Sequence, residues 1–254
     1  MEFYMRQLHS KGEYEKRNSA GRLRASTEGR VMTMKIYGDA GSGSLRRVTT
    51  AAKIMGVELE RVGVDLFKGE SQTDAFKSRL NPNGLTPVLE DGDTLLWEAS
   101  AINLYLADKV SSPLVGGTRE ERFQVLQWMF WSGEQWRTFT TTLFDERVGK
   151  TVMGVPKNQS LIDFAEGKIR SAAKVLDQHL EGRRFMVGQA LTLADLDIAA
   201  PFSQVDRAKF PFREFPNLIA WHDNLLQSFP AWAETKAEVD RRMENFLASV
   251  DVKL

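Results

Sequence analysis

The chain has 254 residues, of which 42% are hydrophobic and 27% are charged, ordinary values for a globular protein with a sizeable core. Lysine plus arginine and aspartate plus glutamate number 34 each, so no overall positive charge attracts the chain to nucleic acid or anionic lipid. Because the chain has no cysteine, it can form no disulfide and has no cysteine nucleophile or thiolate metal ligand, which fits a reducing compartment.

Residues 1–30 differ from the rest of the chain. They are polar, carry six Lys or Arg residues between Arg6 and Arg24, and show no periodicity. They also lack the apolar core of a secretory signal, and no apolar run in the chain approaches the roughly 20 residues of a membrane span. We interpret residues 1–30 as a disordered extension, with a targeting segment as the alternative, and Met32 or Met34 as the natural start of the folded part.

A mixed pattern of strands and helices follows over residues 31–110. Alternation predicts strands at 34–37 and 59–66, and between them a helix carries Leu45, Val48 and Met55 at helical spacing before Gly56 ends it. The pattern then predicts a helix at 74–80, a strand at 86–89, a tight turn at 90–93, a strand at 94–97 and a helix at 99–110. The predicted order is therefore βαβ and then ββα.

The second half of the chain shows only helical patterns. Proline and glycine mark residues 111–118 as a linker. Beyond it, the spacing predicts helices at 119–149, 158–180, 191–201, 216–227 and 232–247. The apolar face of the second of these is assigned to Leu161, Phe164, Ile169, Ala172, Val175, Leu176 and Leu180. We therefore predict an α/β domain at 31–110 followed by an all-helical domain at 119–254.

The most specific local feature is Leu85-Thr86-Pro87, which follows a strong turn signal and opens a strand. Proline is tolerated at a strand start, whereas a cis bond would leave the backbone of Thr86 free to pair with an extended peptide. The Asp91-Gly92-Asp93 hairpin and the segment Leu191-Thr192-Leu193-Ala194-Asp195 follow this feature in the chain. Together these motifs make residues 34–248 resemble the cytosolic glutathione S-transferases. The resemblance implies a thioredoxin-like N-terminal domain, a cis-proline at Pro87, and a capping box between Thr192 and Asp195.

Ser42 lies between the first strand and the first helix, where a serine can cap the helix. With Leu45-Arg46-Arg47-Val48 after it, it resembles the catalytic serine of phi- and theta-like and related bacterial members. The resemblance implies that its hydroxyl stabilises the glutathione thiolate. A hydrogen bond to a charged group contributes about 1.5–3 kcal/mol, enough to lower a thiol pKa of about 8.5 by about one to two units. Tyr37 in the strand and Ser44 deeper in the helix are the rival candidates.

The resemblance also implies a glutathione-binding set: Gln72, Leu85, Thr86, Pro87, Glu98, Ala99 and Ser100. Family members usually have Glu-Ser where this chain has Glu98-Ala99, so a backbone N–H at the helix start, or the Ser100 hydroxyl, is expected to replace the missing hydroxyl. Gln72 stands where phi-like members have a charged residue for the glycine end of the peptide. Three histidines far apart in sequence give no metal site, so no metal is expected.

The predicted function is that of a cytoplasmic, homodimeric glutathione transferase that joins the glutathione thiolate to a hydrophobic electrophile. The helical domain supplies the electrophile pocket, and the aromatic residues of the 119–149 helix line either this pocket or the core. Peroxide reduction, dehalogenation or isomerisation with glutathione would change the chemistry at the same site. The alternative from another class is a non-catalytic binding or assembly module of the same fold, which Ala99 favours.

Overall fold

A computed structural model of the protein describes residues 33–254. The interpretation of residues 1–30 as an extension lies outside these residues. The strands are β1 (Lys35–Gly38), β2 (Glu60–Gly63), β3 (Val88–Asp91) and β4 (Thr94–Trp97). The first three helices are α1 (Gly43–Met55), α2 (Asp74–Arg79) and α3 (Ala99–Lys109).

All remaining elements in the described part of the chain are helical. A long helix is built from α4 (Arg119–Trp131), α5 (Thr138–Phe144) and α6 (Lys150–Met153), joined by π-helical turns at Ser132–Arg137 and Asp145–Gly149. The others are α7 (Gln159–Leu180), α8 (Leu193–Ala199), α9 (Val205–Ala208), α10 (Pro216–Ser228) and α11 (Pro230–Ser249). None of the described helices is both long and apolar enough to cross a membrane. The predicted fold class, α/β followed by all-α, is confirmed.

The sheet has the strand order β2-β1-β3-β4, in which β1 pairs in parallel with β2 and antiparallel with β3, and β3 pairs antiparallel with β4. Successive side chains point to opposite faces of a strand. Ile36 accordingly packs with Leu45 of α1 and Ile102 of α3, whereas Tyr37 packs with Phe76 of α2. Helices thus cover both faces of the sheet, and the starts of α1 and α3 lie on the same face.

The helical half has a separate core of large side chains. Trp136, Trp232, Phe202 and Phe212 are each no more than 2% exposed. The face predicted for the helix at 158–180 is partly wrong: Leu161, Phe164 and Val175 are exposed, and Ile162, Ala165 and Ala173 are buried in their place. Ile169, Ala172, Leu176 and Leu180 lie inside as expected. The buried stripe follows the spacing 162, 165, 169, 172, 176, 180, so it is rotated relative to the predicted one.

The capping box at the start of α8 is confirmed. The Asp195 carboxylate accepts hydrogen bonds from the Thr192 backbone N–H at 2.9 Å and from the Thr192 hydroxyl at 2.9 Å. It also accepts from Met186 N at 2.8 Å and from Trp221 Nε1 at 3.1 Å. Burial raises the pKa of Asp195 to about 6, and these four donors oppose the rise. One side chain thereby fixes α8 against α10 and the loop before it.

Candidate functional site

Ser42 lies at the N-terminus of α1, directly after the β1–α1 loop. Its backbone is extended, with φ −81° and ψ 125°, and its Oγ accepts a hydrogen bond from Leu45 N at 3.3 Å. The side chain therefore caps the helix, but a hydroxyl has one donor hydrogen besides its acceptor lone pairs. Because the cap uses only a lone pair, the hydrogen of the half-buried Ser42 hydroxyl stays available to a ligand.

The loop before this serine is held by residues from the distant C-terminal part of the chain. Asp39 is 4% exposed; its two carboxylate oxygens accept from Arg242 Nε at 3.1 Å and Arg242 Nη2 at 2.9 Å. Asp39 Oδ1 also accepts from Gly41 N at 2.8 Å, and Gln204 Nε2 donates to Gly41 O at 3.0 Å. These contacts fix the backbone that presents Ser42.

Tyr37, the rival candidate, belongs to β1. Its hydroxyl donates to Glu90 Oε2 at 2.5 Å on the face of the sheet that α2 covers. Burial, followed by the hydrogen bond to Glu90, raises the pKa of the Tyr37 hydroxyl. A phenol with a raised pKa that is already bonded to a carboxylate is poorly suited to stabilise another anion.

The Thr86–Pro87 peptide bond is cis, as expected from the resemblance. The segment before it is ordered by amide side chains: Gln72 Nε2 donates to Gly84 O at 2.7 Å, and Asn81 Nδ2 donates to Leu85 O at 2.9 Å. Gly84 has φ +66°, and a Cβ there would lie 2.8 Å from Gln72 Nε2, so this turn requires glycine. Leu85, Thr86 and Pro87 thus follow one turn, which the Gln72 side chain contacts from the short helix at Glu70–Gln72, and Leu85 is exposed.

Glu98 has an unusual backbone conformation at the start of α3. Its φ is +71° and its ψ 109°, and its exposed side chain forms no capping bond to the helix. Such a conformation costs a non-glycine residue about 1–3 kcal/mol and is typical of functional sites. Ala99, next in the chain, is 2% exposed and packs in the core between the sheet, α1 and α3. The start of α3 therefore offers a ligand the Glu98 carboxylate and backbone N–H groups.

Two family profiles match the chain, described as "Glutathione S-transferase, N-terminal domain" over residues 32–108 and "Glutathione S-transferase, C-terminal domain" over residues 137–228. Glutathione S-transferase F9 of Arabidopsis thaliana is 32% identical over 215 residues, which cover 82% of this chain and 98% of the relative. The chain belongs to the glutathione S-transferase family.

Solved structures of glutathione transferases agree in fold. Glutathione transferase F7 of Populus trichocarpa is 25% identical, with a TM-score of 0.73 over 82% of this chain and 99% of that one. Glutathione S-transferase I from maize, solved in complex with an atrazine glutathione conjugate, is 26% identical, with a TM-score of 0.71 over 82% of this chain and 98% of that one.

In this glutathione S-transferase family member, the Ser100 hydroxyl points into a buried charge cluster. It donates to Asp197 Oδ2 at 2.8 Å and accepts from Arg47 Nη1 at 2.9 Å. Arg47 and Asp197 form an ion pair in which each side chain is 1% exposed. Burial lowers the pKa of Arg47 to about 10, and the charge of Asp197 opposes this shift. The Ser100 hydroxyl is therefore committed to the protein and does not point to a ligand.

Arg137, in the first π-helical turn of the long helix, completes this cluster. Its Nε lies 2.9 Å from Asp197 Oδ1, and its side chain is 22% exposed. The hydrogen on Arg137 Nε is donated to Ser132 Oγ at 3.3 Å. The contact of Arg137 with Asp197 is therefore an ion pair and not a hydrogen bond. Two arginines thus share one carboxylate, and this charge cluster joins α1, α3, α8 and the long helix behind the candidate site.

The sequence assigned the aromatic side chains of the long helix either to the core or to an electrophile pocket. Trp136 lies in the core, and the half-buried Trp128, Trp131, Phe139 and Phe144 pack against it. Trp136 is fully buried, donates from Nε1 to Ile198 O at 3.0 Å, and stacks on Phe212 with ring centroids 4.7 Å apart. Phe123 and Phe130, by contrast, are 59% and 70% exposed on α4. Within residues 33–254, no three His, Asp or Glu side chains are grouped so that they could hold a metal.

Sequence reasoning missed Asp39, Arg242, Asp197 and Arg137. Asp39 lies in the loop next to Ser42 and Asp197 lies two residues after the capping aspartate, but neither position carries a motif. The one available signal was the pair Arg46-Arg47 inside a helix that is otherwise largely apolar and small. Two adjacent arginines cannot both face solvent on a helix that is packed on two sides, so at least one required a buried partner.

Proposed function

We propose that this chain is a glutathione transferase in which Ser42 stabilises the thiolate of bound glutathione. The observation that carries the proposal is the position of the Ser42 hydroxyl at the N-terminus of the 13-residue helix α1. The hydroxyl oxygen accepts a hydrogen bond from Leu45 N, and its own hydrogen remains available to a ligand. A thiolate there would accept that hydrogen and would lie in the positive field of the helix end. Together these terms lower the thiol pKa by about one to two units and make thiolate a major species at neutral pH.

In this proposal, glutathione lies across the starts of α1 and α3. The Glu98 carboxylate pairs with the α-amino group of the γ-glutamyl residue, and the backbone N–H at Ala99 faces its carboxylate. The backbone of Thr86 pairs with the cysteinyl part between Leu85 and Pro87, and the Gln72 amide lies nearest to the glycine end. The exposed side chain of Glu98 supports this arrangement, since it forms no capping bond to the helix.

The second substrate is a hydrophobic electrophile held between the β1–α1 loop and the long helix, which would react with the thiolate by proximity. The structures bound with lactoylglutathione and with an atrazine glutathione conjugate support a site of this kind. Thioether formation, measured with an aromatic halide, separates conjugation from reduction of a hydroperoxide, which yields glutathione disulfide instead.

The test is Ser42→Ala, with Ser44→Ala as the matched control that removes a hydroxyl two residues further along the same helix. We expect Ser42→Ala to lower turnover by about 10- to 100-fold, the rate equivalent of one to two pKa units, while glutathione binding changes little. Ser44→Ala should behave as the wild type. Lost glutathione binding with unchanged turnover per bound glutathione would instead make Ser42 a structural cap.

A non-catalytic binding module is the second candidate function. The observations in its favour are that Ala99 has no hydroxyl and that the Ser100 hydroxyl is bonded to Asp197 and Arg47. Isothermal titration with reduced glutathione separates the two candidates. Binding in the micromolar to millimolar range supports the transferase, and the absence of binding supports the module.

We also propose a homodimer in the cytoplasm. The location rests on the family alone, and a fluorescent fusion observed in living cells tests it. The dimer is supported by exposed apolar side chains: Leu95 and Trp97 on β4 are each 40% exposed, and Phe130 on α4 is 70% exposed. Light scattering should give twice the chain mass for the wild type and a smaller mass for Phe130→Asp. A monomeric wild type would contradict the dimer.

A further inference from the structure

A cavity of about 640 Å³ lies at the end of the long helix, between α6, α7, α9 and the C-terminal residues. Only two apolar side chains, Ile162 and Leu254, contribute to its lining. Its charged lining side chains are five cations and one acid, Arg147, Lys157, Arg207, Lys209, Lys253 and Glu166. We call this space the basic cavity.

The two arginines of the basic cavity already have carboxylate partners. Arg147 Nη2 donates to Glu166 Oε1 at 2.5 Å, and Arg207 Nη2 donates to Asp240 Oδ1 at 2.9 Å. Glu166 is further shared with Arg170, whose Nη1 lies 3.2 Å from Glu166 Oε2. The one acid of the lining is therefore fully used and neutralises none of the lysines.

The three lysines are the unneutralised part of the cavity. Lys157, Lys209 and Lys253 have no carboxylate within 4.0 Å among residues 33–254. The chain as a whole has no net charge, so this excess is local to the cavity. Three like charges around one space repel one another, and an anion placed between them relieves that repulsion.

The backbone at Lys209 is held in place by Arg147. Lys209 has φ +52° at the C-terminus of α9, where the left-handed conformation ends the helix. Glycine or asparagine is the usual residue at such a position. Its carbonyl accepts from Arg147 Nη1 at 2.8 Å, which fixes its orientation at the cavity. This contact holds the Lys209 backbone at the edge of the basic cavity.

We propose that the basic cavity binds a small polyanion, a molecule with two or more phosphate or carboxylate groups, through Lys157, Lys209 and Lys253. The volume admits a small molecule, and its largely polar lining does not suit an apolar one. The three lysines are exposed, but they line one concave space and do not form an extended stripe, which favours a compact ligand over a nucleic acid strand. This site is separate from the proposed glutathione site, because none of the residues assigned to glutathione lines it.

The test is isothermal titration of the full chain with inorganic pyrophosphate, at constant ionic strength, with orthophosphate and acetate as comparison anions. We expect one saturable site per chain, with pyrophosphate bound more tightly than orthophosphate and no acetate bound. Lys157→Gln and Lys253→Gln should each raise the Kd by about two- to fivefold, and together by about tenfold. Lys174→Gln removes an exposed lysine of α7 that does not line the cavity, and it should leave the Kd unchanged.

Several outcomes would overturn this proposal. Absence of saturable pyrophosphate binding at millimolar concentration would show that the lysines form no site. Equal weakening by Lys174→Gln would show diffuse attraction to surface charge. Equal affinity for orthophosphate would contradict the polyanion class, and lysine-dependent binding of a single-stranded oligonucleotide without binding of pyrophosphate would indicate a nucleic-acid surface. None of these outcomes depends on glutathione binding, so the proposed function and this inference fail separately.

Discussion

His222 should make the stability of this protein depend on pH in a definable window. It lies on α10, is 6% exposed, and stacks on Phe202 with ring centroids 3.9 Å apart. Its Nε2 accepts a hydrogen bond from Trp232 Nε1 at 3.3 Å, which requires the neutral ring. Burial, together with the nearby positive charges of Arg46 and Lys236, lowers the pKa of His222 to about 3.

The size of the effect follows from linkage between proton binding and unfolding. The pKa of a histidine in an unfolded chain is about 6.5, well above that of His222 in the folded state. Below pH 6.5 the unfolded chain therefore binds a proton that the folded chain does not, and folding stability falls as the pH falls through this window. Each pH unit costs about 1.4 kcal/mol, so the loss reaches about 2 kcal/mol between pH 7 and pH 5.

The assay is urea unfolding at pH 7 and pH 5 for the wild type, His222→Gln and Leu226→Ala. Leu226 is a partly buried neighbour on α10, so its truncation destabilises the protein without removing a titrating group. We expect the loss of stability between the two pH values to be about 2 kcal/mol smaller in His222→Gln than in the other two chains. The other titrating groups are present in all three chains, so their contributions cancel when the pH-dependent losses of stability are compared. An equal loss in His222→Gln would refute the reasoning.

Three further predictions concern the charge cluster, the capping box and the strained residue. Asp197→Asn should lower the free energy of unfolding by about 3–5 kcal/mol, because it leaves the buried Arg47 guanidinium without its carboxylate partner. A loss below about 1 kcal/mol in urea unfolding would contradict the buried pair. Asp195→Ala should cost about 2–4 kcal/mol by the same measurement, because it leaves the Thr192 backbone N–H and other buried donors unpaired. Glu98→Gly should raise the melting temperature by a few degrees and abolish glutathione binding, whereas unchanged binding in calorimetry would remove Glu98 from the site.

Local signals in the sequence predicted much of the fold. The alternation over residues 34–37, the stop at Gly56 and the capping box of Thr192 with Asp195 each act over a few residues, so a short window of sequence contains the whole cause. The helix faces were harder, because the apolar positions 161, 164 and 175 fit helical spacing as well as the truly buried ones do. Only tertiary packing decides which side of a long helix meets the core.

The local geometry at the candidate site residues was predictable from the sequence, whereas the distant residues that hold these loops in place were not. Ser42, Pro87 and Glu98 stand next to strand and helix ends, where turn and capping rules apply. Asp197, however, lies 150 residues from Arg47, and Arg242 lies 203 residues from Asp39. No periodicity or spacing rule connects such pairs, because they meet only when the helical half packs against the sheet.

The most direct test of the central claim is the ionisation of glutathione bound to the protein. Ultraviolet difference absorbance, in the band where thiolate absorbs and thiol does not, is followed against pH for the wild type and for Ser42→Ala. The account predicts a bound thiol pKa about one to two units below that of free glutathione in the wild type, and a return toward the free value in Ser42→Ala with glutathione still bound. An unshifted pKa in the wild type, or the same shift in both chains, would contradict the assignment of Ser42 as the group that stabilises the thiolate.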